Sequence, residues 1–329
     1  MSVLTRLWFR RRRDDRAADT SGSRERRERG AVSTLAAIAL LPITAVTAVG
    51  VDAGRVFVER QRVQTAAESA ALAAARDWYR TGTSCGSTAQ TYVAQNAGSD
   101  ATSTCSTSGT RYGGVLTVAA TKGVSAVFGS VIGRSSTKVD STASVRIGSA
   151  ASASGLRPTA MCQDSPALAA WRSSGFSSTQ QFTVGLSGDC LGVPGNWGVL
   201  DFNGGSNSTS ELQQWVDQGW SGTVTVGQQI YGNPGIPSPA LHMDTTIGKT
   251  FTVPVYDQIV LQGSNALFRV SSFVTITVIS VTLNGSASGR NVVVTFSTAT
   301  TNGAISPTAP NLGTLALQPC SLDGRGTCS

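Results

Sequence analysis

A chain of 329 residues, of which 40% are hydrophobic and 14% charged, can bury a core, so its composition excludes a largely disordered protein. Residues 1–30 hold ten arginines and five acidic residues, which leaves only +2 of the formal net charge of +7 for the other 299 residues. The basic charge therefore belongs to an N-terminal tail. Without a basic face over a whole domain, no nucleic-acid partner is expected.

The tail is followed by an uncharged run of 21 residues, 31–51. As a helix this run would measure about 31 Å, close to the hydrocarbon thickness of a bilayer. The arginine excess before it predicts a single-pass cell-membrane protein in contact with lipid, with residues 1–30 in the cytoplasm and the bulk of the chain extracellular or periplasmic. A cleaved signal peptide usually has a shorter apolar core, and a buried soluble helix would not be flanked by arginine clusters.

The helical pattern continues beyond the apolar run to about residue 79, because residues 51–79 are rich in helix formers and contain no proline and, after Gly54, no glycine. Small apolar residues recur along one narrow stripe of this outer half, at Val56, Val63, Ala67, Ala70 and Ala74. Two uses of the stripe remain open. It is either the seat for the chain's own sheet or a contact for other subunits, since small residues permit close approach.

A small unit made of a loop and a sheet is predicted over residues 80–147. Residues 81–114 are rich in glycine, serine and threonine and indicate a loop, and residues 115–120 and 137–147 alternate in the manner of strands. The small-residue segment 148–155 is predicted to be a linker between two domains.

Residues 156–329 are predicted to form a β-rich extracytoplasmic domain. Six short apolar segments separated by turn residues indicate strands, and Ser208 with Glu211 forms a capping box that opens one helix. Residues 301–329 show few strand or helix signals. The predicted fold class is therefore α+β, with a long N-terminal helix, a small sheet and a β-rich domain.

All six cysteines follow the apolar run, and their number is even. None has the C-x-x-C spacing of a zinc or redox site, which favours disulfides in an oxidising compartment over free buried thiols. Each neighbouring pair brackets a turn-rich segment. The expected pairs are Cys85 with Cys105, Cys162 with Cys190, and Cys320 with Cys328.

The block 28–75 resembles the N-terminal segment of the Flp pilus-assembly TadE/TadG-like family, whose pattern is a basic residue and glycine, an apolar run with proline, V-D-x-G-R and an alanine-rich tail. The resemblance covers about residues 28–150 and implies a membrane-anchored pilin-like or accessory subunit that contacts other pilus-assembly subunits through this helix. The residues that carry the motif, with an implied role in assembly, are Gly30, Pro42, Asp52, Gly54, Arg55, Gln64, Ala67, Glu68, Ala70 and Ala71.

Two features depart from the family pattern. Leu35 stands where prepilins cut by a dedicated peptidase usually carry glutamate, so the sequence does not predict processing at Gly30. Larger members carry a von Willebrand factor A domain with a D-x-S-x-S metal site. The nearest string here begins at Asp140 and lies inside an alternating strand, so that domain is not predicted.

No motif for catalysis, cofactor binding or metal binding is recognised. His242 is the only histidine, and with Asp244 it offers too few ligands for a metal site. We therefore expect no enzyme, no cofactor and no small-molecule substrate. Four aromatic residues of the β-rich segment indicate either core packing, which is favoured, or an exposed patch for a ligand: Trp197, Phe202, Trp215 and Trp220. The alternative function is accordingly a membrane-tethered extracellular binding or adhesion module.

Overall fold

The computed structural model describes residues 21–177, 179–185, 199–204, 208–232, 242–260, 266–283, 289–301, 303–320 and 328. A long N-terminal helix is followed by a β-rich part with mixed sheets, which confirms the predicted α+β class. The chain divides into two compact units, Met1–Val58 with Val124–Thr137, and Glu59–Gly123 with Lys138–Ser329.

Helix α1 is the longest element and runs over Ser21–Thr81. Its end lies within two residues of the predicted one. The first compact unit holds the helix up to Val58 and a short 3-10 helix over Gly129–Ile132. The helix continues into the second compact unit, which also holds most of the other elements.

The further helices are α2 (Gly86–Ala97), α3 (Pro166–Ser173), α4 (Thr209–Gln218) and a second 3-10 helix (Met243–Thr246). The strands are β1 (Thr102–Thr110), β2 (Gly113–Ser125), β3 (Ser136–Ser149), β4 (Ser152–Leu156), β5 (Met161–Cys162), β6 (Gln181–Gly185), β7 (Leu200–Asp201), β8 (Trp220–Thr225), β9 (Gln229–Gly232), β10 (Thr250–Val260), β11 (Leu267–Thr282), β12 (Asn291–Ser297), β13 (Ala299–Thr301) and β14 (Thr314–Pro319).

The first sheet has the strand order β1-β2-β3-β14-β13. Strand β14 pairs antiparallel with β3, from Leu315 opposite Ser149 to Pro319 opposite Val145. Few strand signals are visible in residues 301–329 because β14 is short and is held by pairing with a strand far away in the sequence. Residues 148–155, expected as a linker, form the end of β3 and most of β4 instead. The first sheet therefore contains strands from both sides of the predicted domain boundary.

The loop expected over residues 81–114 was a wrong prediction. It contains helix α2 and strand β1, and β1 pairs with β2 as a hairpin closed at Thr110 opposite Gly113. Helix α2 buries Ala89, Val93 and Ala97. These positions are four residues apart and lie on one face, so apolar periodicity outweighs the loop-like composition.

The second sheet has the order β5-β10-β11-β12-β6, with β9 pairing β11 and β7 pairing β9. The six predicted strand segments correspond to β6, β7, β8, β10, β11 and β12. Helix α4 begins as predicted, with the Ser208 hydroxyl accepting the Glu211 backbone N–H at 3.2 Å. Helix α3 was missed, although Ser165 as N-cap and Pro166 in the first turn are ordinary start signals.

Disulfides join Cys85 to Cys105 and Cys320 to Cys328, as the neighbour pairing expected. The first of these links the residue before α2 to β1. Cys162 is also disulfide-bonded, whereas Cys190 lies outside the described residues. No cysteine in the described part of the chain is free.

Candidate membrane-contact and assembly site

Residues 32–58 of helix α1, called the free half below, expose large apolar side chains on every side. Leu41 is 71% exposed and Val46 73% exposed, and Val32, Leu35, Ile38, Ile43 and Val49 all exceed half. Exposed apolar surface of this extent on one helix is not stable in water. Among the described residues, one helix is long and apolar enough to cross a membrane, and it is this one.

Pro42 lies inside the free half without ending the helix. Proline lacks a backbone N–H and leaves one carbonyl of the preceding turn without its usual partner. The Thr44 hydroxyl donates to the carbonyls of Leu40 and Leu41 at 2.9 and 3.0 Å, and the Thr47 hydroxyl donates to that of Ile43 at 2.8 Å. These carbonyls flank the proline, and none of them is the Ile38 carbonyl, which is the one that the missing N–H of Pro42 leaves without its usual donor.

Asp52, the motif aspartate, fixes a distant loop to the free half. Its carboxylate accepts the backbone N–H groups of Val127, Phe128 and Gly129 at 2.8, 3.1 and 2.7 Å. The bond from Val127 is the main reason that the pKa of this carboxyl lies below its ordinary value, and Arg55 adds to the effect. Nothing in the local sequence indicates these partners, because they lie 75 to 77 residues away.

Two glycines of the free half have open space beside them. A Cβ built at Gly50 or at Gly54 would meet no other atom within 4 Å. The two glycines are one helical turn apart and form a G-x-x-x-G pattern, which permits close helix approach. The neighbouring motif residue Arg55 is exposed. Packing within the chain itself therefore does not require a glycine at position 54.

Residues 59–81 of helix α1, called the seated half, behave differently. Its alanine stripe is fully buried within the chain: Val63, Ala66, Ala67, Ala70, Ala71, Ala74 and Ala75 are 0% exposed. Leu116, Val118 and Ala120 of strand β2 are also 0% exposed and alternate along one sheet face. The alanine stripe therefore has the first of the two uses left open by the sequence, which is packing within the chain's own fold.

Polar contacts fix the seated half to its surroundings. Lys122 donates to the Glu59 carboxylate at 3.1 Å and also bonds the Ala97 carbonyl. The hydrogen bond from Lys122 holds the pKa of Glu59 below its ordinary value of 4.5. Near the C-terminal end of the seated half, the Thr88 hydroxyl donates to the Asp77 carboxylate at 2.7 Å. The motif residues Gln64 and Glu68 remain exposed and bond each other at 3.1 Å.

Aromatic rings connect the end of the seated half to the β-rich core. Tyr79 contacts Tyr112, Tyr112 contacts Phe176, and Phe176 contacts Trp171, with centroid separations of 6.3, 4.6 and 5.5 Å. Trp171 is fully buried and packs on Phe296. Burial raises the pKa of Tyr79 to about 12. The second compact unit is therefore packed as one body from helix to sheet.

The aromatic cluster singled out in the β-rich segment is core rather than surface. Phe202 and Trp215 are each 7% exposed, and Trp220 stacks on Phe202 at a centroid separation of 5.0 Å. Trp197 lies outside the described residues. His242 is the residue before the second 3-10 helix, with φ of 48°, and its backbone carbonyl accepts the Thr245 hydroxyl at 2.8 Å.

Comparison with known protein families bears on the helix alone. Residues 30–77 match the family model described as Flp pilus-assembly TadE/G-like. The TadE/G-like segment therefore covers all of the free half and most of the seated half. Comparisons with curated proteins and with solved structures return no match.

Proposed function

We propose that the protein is a membrane-anchored subunit of a Flp, or tight-adherence, pilus assembly system, either pilin-like or accessory, and that it acts without catalysis. The observation that carries the proposal is the division of the TadE/G-like segment into two halves. The free half exposes apolar side chains all round, and the seated half is packed within the chain. One end of the motif is thereby left for lipid and partner helices, while the other end supports the fold.

The proposed topology follows from charge. Residues 31–51 span the membrane, the arginine-rich residues 1–30 lie in the cytoplasm, and the second compact unit lies outside. Disulfides in that unit support an oxidising compartment.

Partner contacts are assigned to the free half. The family motif alone suggested Ala67, Ala70 and Ala71, but these side chains have no surface left for another chain. Gly50 and Gly54 do have open space beside them, at the outer end of the span, and small residues there permit the close approach of backbones on which helix association depends. A helix of another pilus-assembly or pilin-like subunit is the proposed partner at this face.

The alternative of a tethered adhesion module is not favoured by a specific observation. Of the described aromatic residues that would have formed a ligand patch, Phe202 and Trp215 are buried and Trp220 is half-buried against them. Deleting residues 156–329 would not separate the two functions, because it would also remove β14, the partner of β3. Point substitutions are therefore the better test.

The test compares surface pili in a strain that lacks the chain with pili in the same strain carrying the wild type or Gly54→Leu. We expect few or no pili without the chain, restoration by the wild type, and poor restoration by Gly54→Leu at equal protein level. Normal pili in the strain lacking the chain would contradict the proposed function.

A further inference from the structure

The loop that Asp52 holds is unusually apolar for an exposed segment. Residues 126–134, called the juxtamembrane loop below, connect β2 to β3. Three large apolar side chains in this loop are exposed: Val127 at 47%, Phe128 at 46% and Val131 at 84%. The fold of the first compact unit does not bury them, so packing within that unit does not explain why they are apolar.

The loop is compact and fixed. The Arg134 N–H donates to the Gly129 carbonyl at 2.9 Å, and the Ala126 N–H donates to the Ser135 carbonyl at 3.0 Å. A Cβ at Gly129 would lie 3.0 Å from both the Ala126 Cβ and the Arg134 oxygen. Together with the three bonds to Asp52, these contacts hold the apolar side chains on a defined turn rather than on a loose chain.

The height of the loop along the helix is set by Asp52. This residue directly follows the apolar run 31–51. Of the described positions 32–51, Ala48 alone is half-buried, and Asp52 and Val56 continue the same face at spacings of four residues. Since the rise is about 1.5 Å per residue, Ala48 lies about 6 Å from Asp52 toward the middle of the run. The loop therefore covers the helix at the outer end of the span.

We propose that Val127, Phe128 and Val131 insert into the outer interface of the same membrane that the free half crosses, as a second lipid contact. This proposal rests on the membrane anchoring in the proposed function. The interfacial layer is about 5–7 Å thick on each side of the hydrocarbon core, so a loop held at Asp52 lies within it. Exposed apolar side chains beside arginines are typical of segments that lie in a membrane interface, and Arg134 and Arg55 are exposed here.

The second contact gives Asp52 a positioning role. A single helix can rotate about its axis in a bilayer, and interfacial anchors limit that rotation. The carboxylate of Asp52 ties such an anchor to one face of the helix. The opposite faces, including Gly54, then keep a fixed direction toward partner helices.

The test places a fluorescent reporter on single cysteines of the full chain, under non-reducing conditions that leave the disulfides intact. The reporter positions are Ser130→Cys in the loop, Ala37→Cys in the span and Ser108→Cys on exposed strand β1. The protein is reconstituted in vesicles of phosphatidylethanolamine and phosphatidylglycerol that contain lipids spin-labelled either near the headgroup or deep in the acyl chain. Emission wavelength and quenching are measured for each position.

We expect the reporter at Ser130→Cys to be blue-shifted relative to Ser108→Cys and quenched by headgroup-level spin labels. Replacing Val127, Phe128 and Val131 by serine in the same chain should abolish both effects. If Ser130→Cys instead matches Ser108→Cys while Ala37→Cys is quenched by deep labels, the inference is overturned and the anchoring stands. Loss of quenching at Ala37→Cys as well would contradict the anchoring itself. A blue shift at Ser130→Cys without quenching by either lipid would indicate that another protein chain covers the loop, and it too would overturn the inference.

Discussion

The free half and the seated half of helix α1 are both rich in alanine but have opposite surroundings. The free half adds large aliphatic residues and the seated half adds charged ones, and Leu41 is 71% exposed whereas Ala70 is 0% exposed. In the proposed function the difference arises because lipid around the free half offers no hydrophobic drive for packing, whereas water around the rest of the chain favours burial of the alanine stripe. One continuous motif therefore serves two purposes, and mutations in its two halves should have different consequences.

Substituting Ala70 by Trp should give the largest effect. Its side chain is fully buried, so an indole cannot fit without displacing neighbours, and we expect at least about 3 kcal/mol of destabilisation. Thr65→Trp is the matched control, because Thr65 is exposed on the same helix. Thermal unfolding and protease resistance of the two variants check the prediction. Equal stability of the two variants would show that the alanine stripe is not packed within the chain and is available for contact with a partner.

Removing the Cys85–Cys105 disulfide by double alanine substitution should cost the next largest amount. The bond closes a sequence separation of 20 residues, which on the chain-entropy model contributes about 3 kcal/mol. The Cys320–Cys328 bond closes only 8 residues and is the control, for which we expect a smaller loss. Denaturant unfolding of the two double variants measures the difference. A larger loss for the second pair would mean that α2 and β1 do not depend on their disulfide.

Glu59→Gln tests the boundary between the halves. The Glu59 and Lys122 side chains are 19% and 15% exposed, so removing this partly buried charge pair should cost about 1–3 kcal/mol at neutral pH. Because the folded-state pKa of Glu59 is lowered, its contribution is present above the ordinary value of 4.5 and is lost as the pH falls through the folded value. Stability curves of the wild type and Glu59→Gln should therefore converge as the pH falls from 4.5 through the folded-state pKa of Glu59. Parallel curves over that range would show that the pair contributes nothing to folding.

Gly54→Leu should have the smallest effect on stability and a measurable effect on association. The added side chain meets no atom of its own chain, so folding should be unchanged. If a partner helix packs there, we expect a loss of about 1 kcal/mol, or about fivefold in affinity, in detergent or nanodisc association assays. Ala53→Leu, on an adjacent exposed face, is the control and should associate normally. Identical behaviour of both variants would remove Gly54 from the proposed partner surface.

The parts of the fold that sequence reasoning predicted are those with long local patterns. Helix α1 follows from an apolar run joined to a helix-forming stripe, and strands β10 to β12 follow from alternation over many residues. Helix α2 was mistaken for a loop because its serines, threonines and glycine outweighed a narrow stripe of three apolar residues. Strand β14 depends on pairing with β3, which is far away in sequence.

The candidate site was predicted less completely than the fold. The motif supplied the residues, but it did not say which of them face partners. Ala67, Ala70 and Gly54 all belong to the motif, but the folded chain buries the two alanines and leaves open space beside the glycine. The role of Asp52 was out of reach for a similar reason, since its three N–H donors lie in a loop at the other end of β2.

Thiol labelling along helix α1 tests directly whether the free half spans the membrane and the seated half is packed outside it. Single cysteines at Ser23, Leu41, Thr65 and Ala70 are exposed to a membrane-impermeant thiol reagent, first in intact spheroplasts and then after permeabilisation. The proposed arrangement predicts labelling at position 65 in intact spheroplasts and labelling at position 23 only after permeabilisation. It predicts no labelling at position 41 or 70 while the membrane and the fold are intact. Labelling of position 41 in intact spheroplasts, or of 23 with protection of 65, would contradict it.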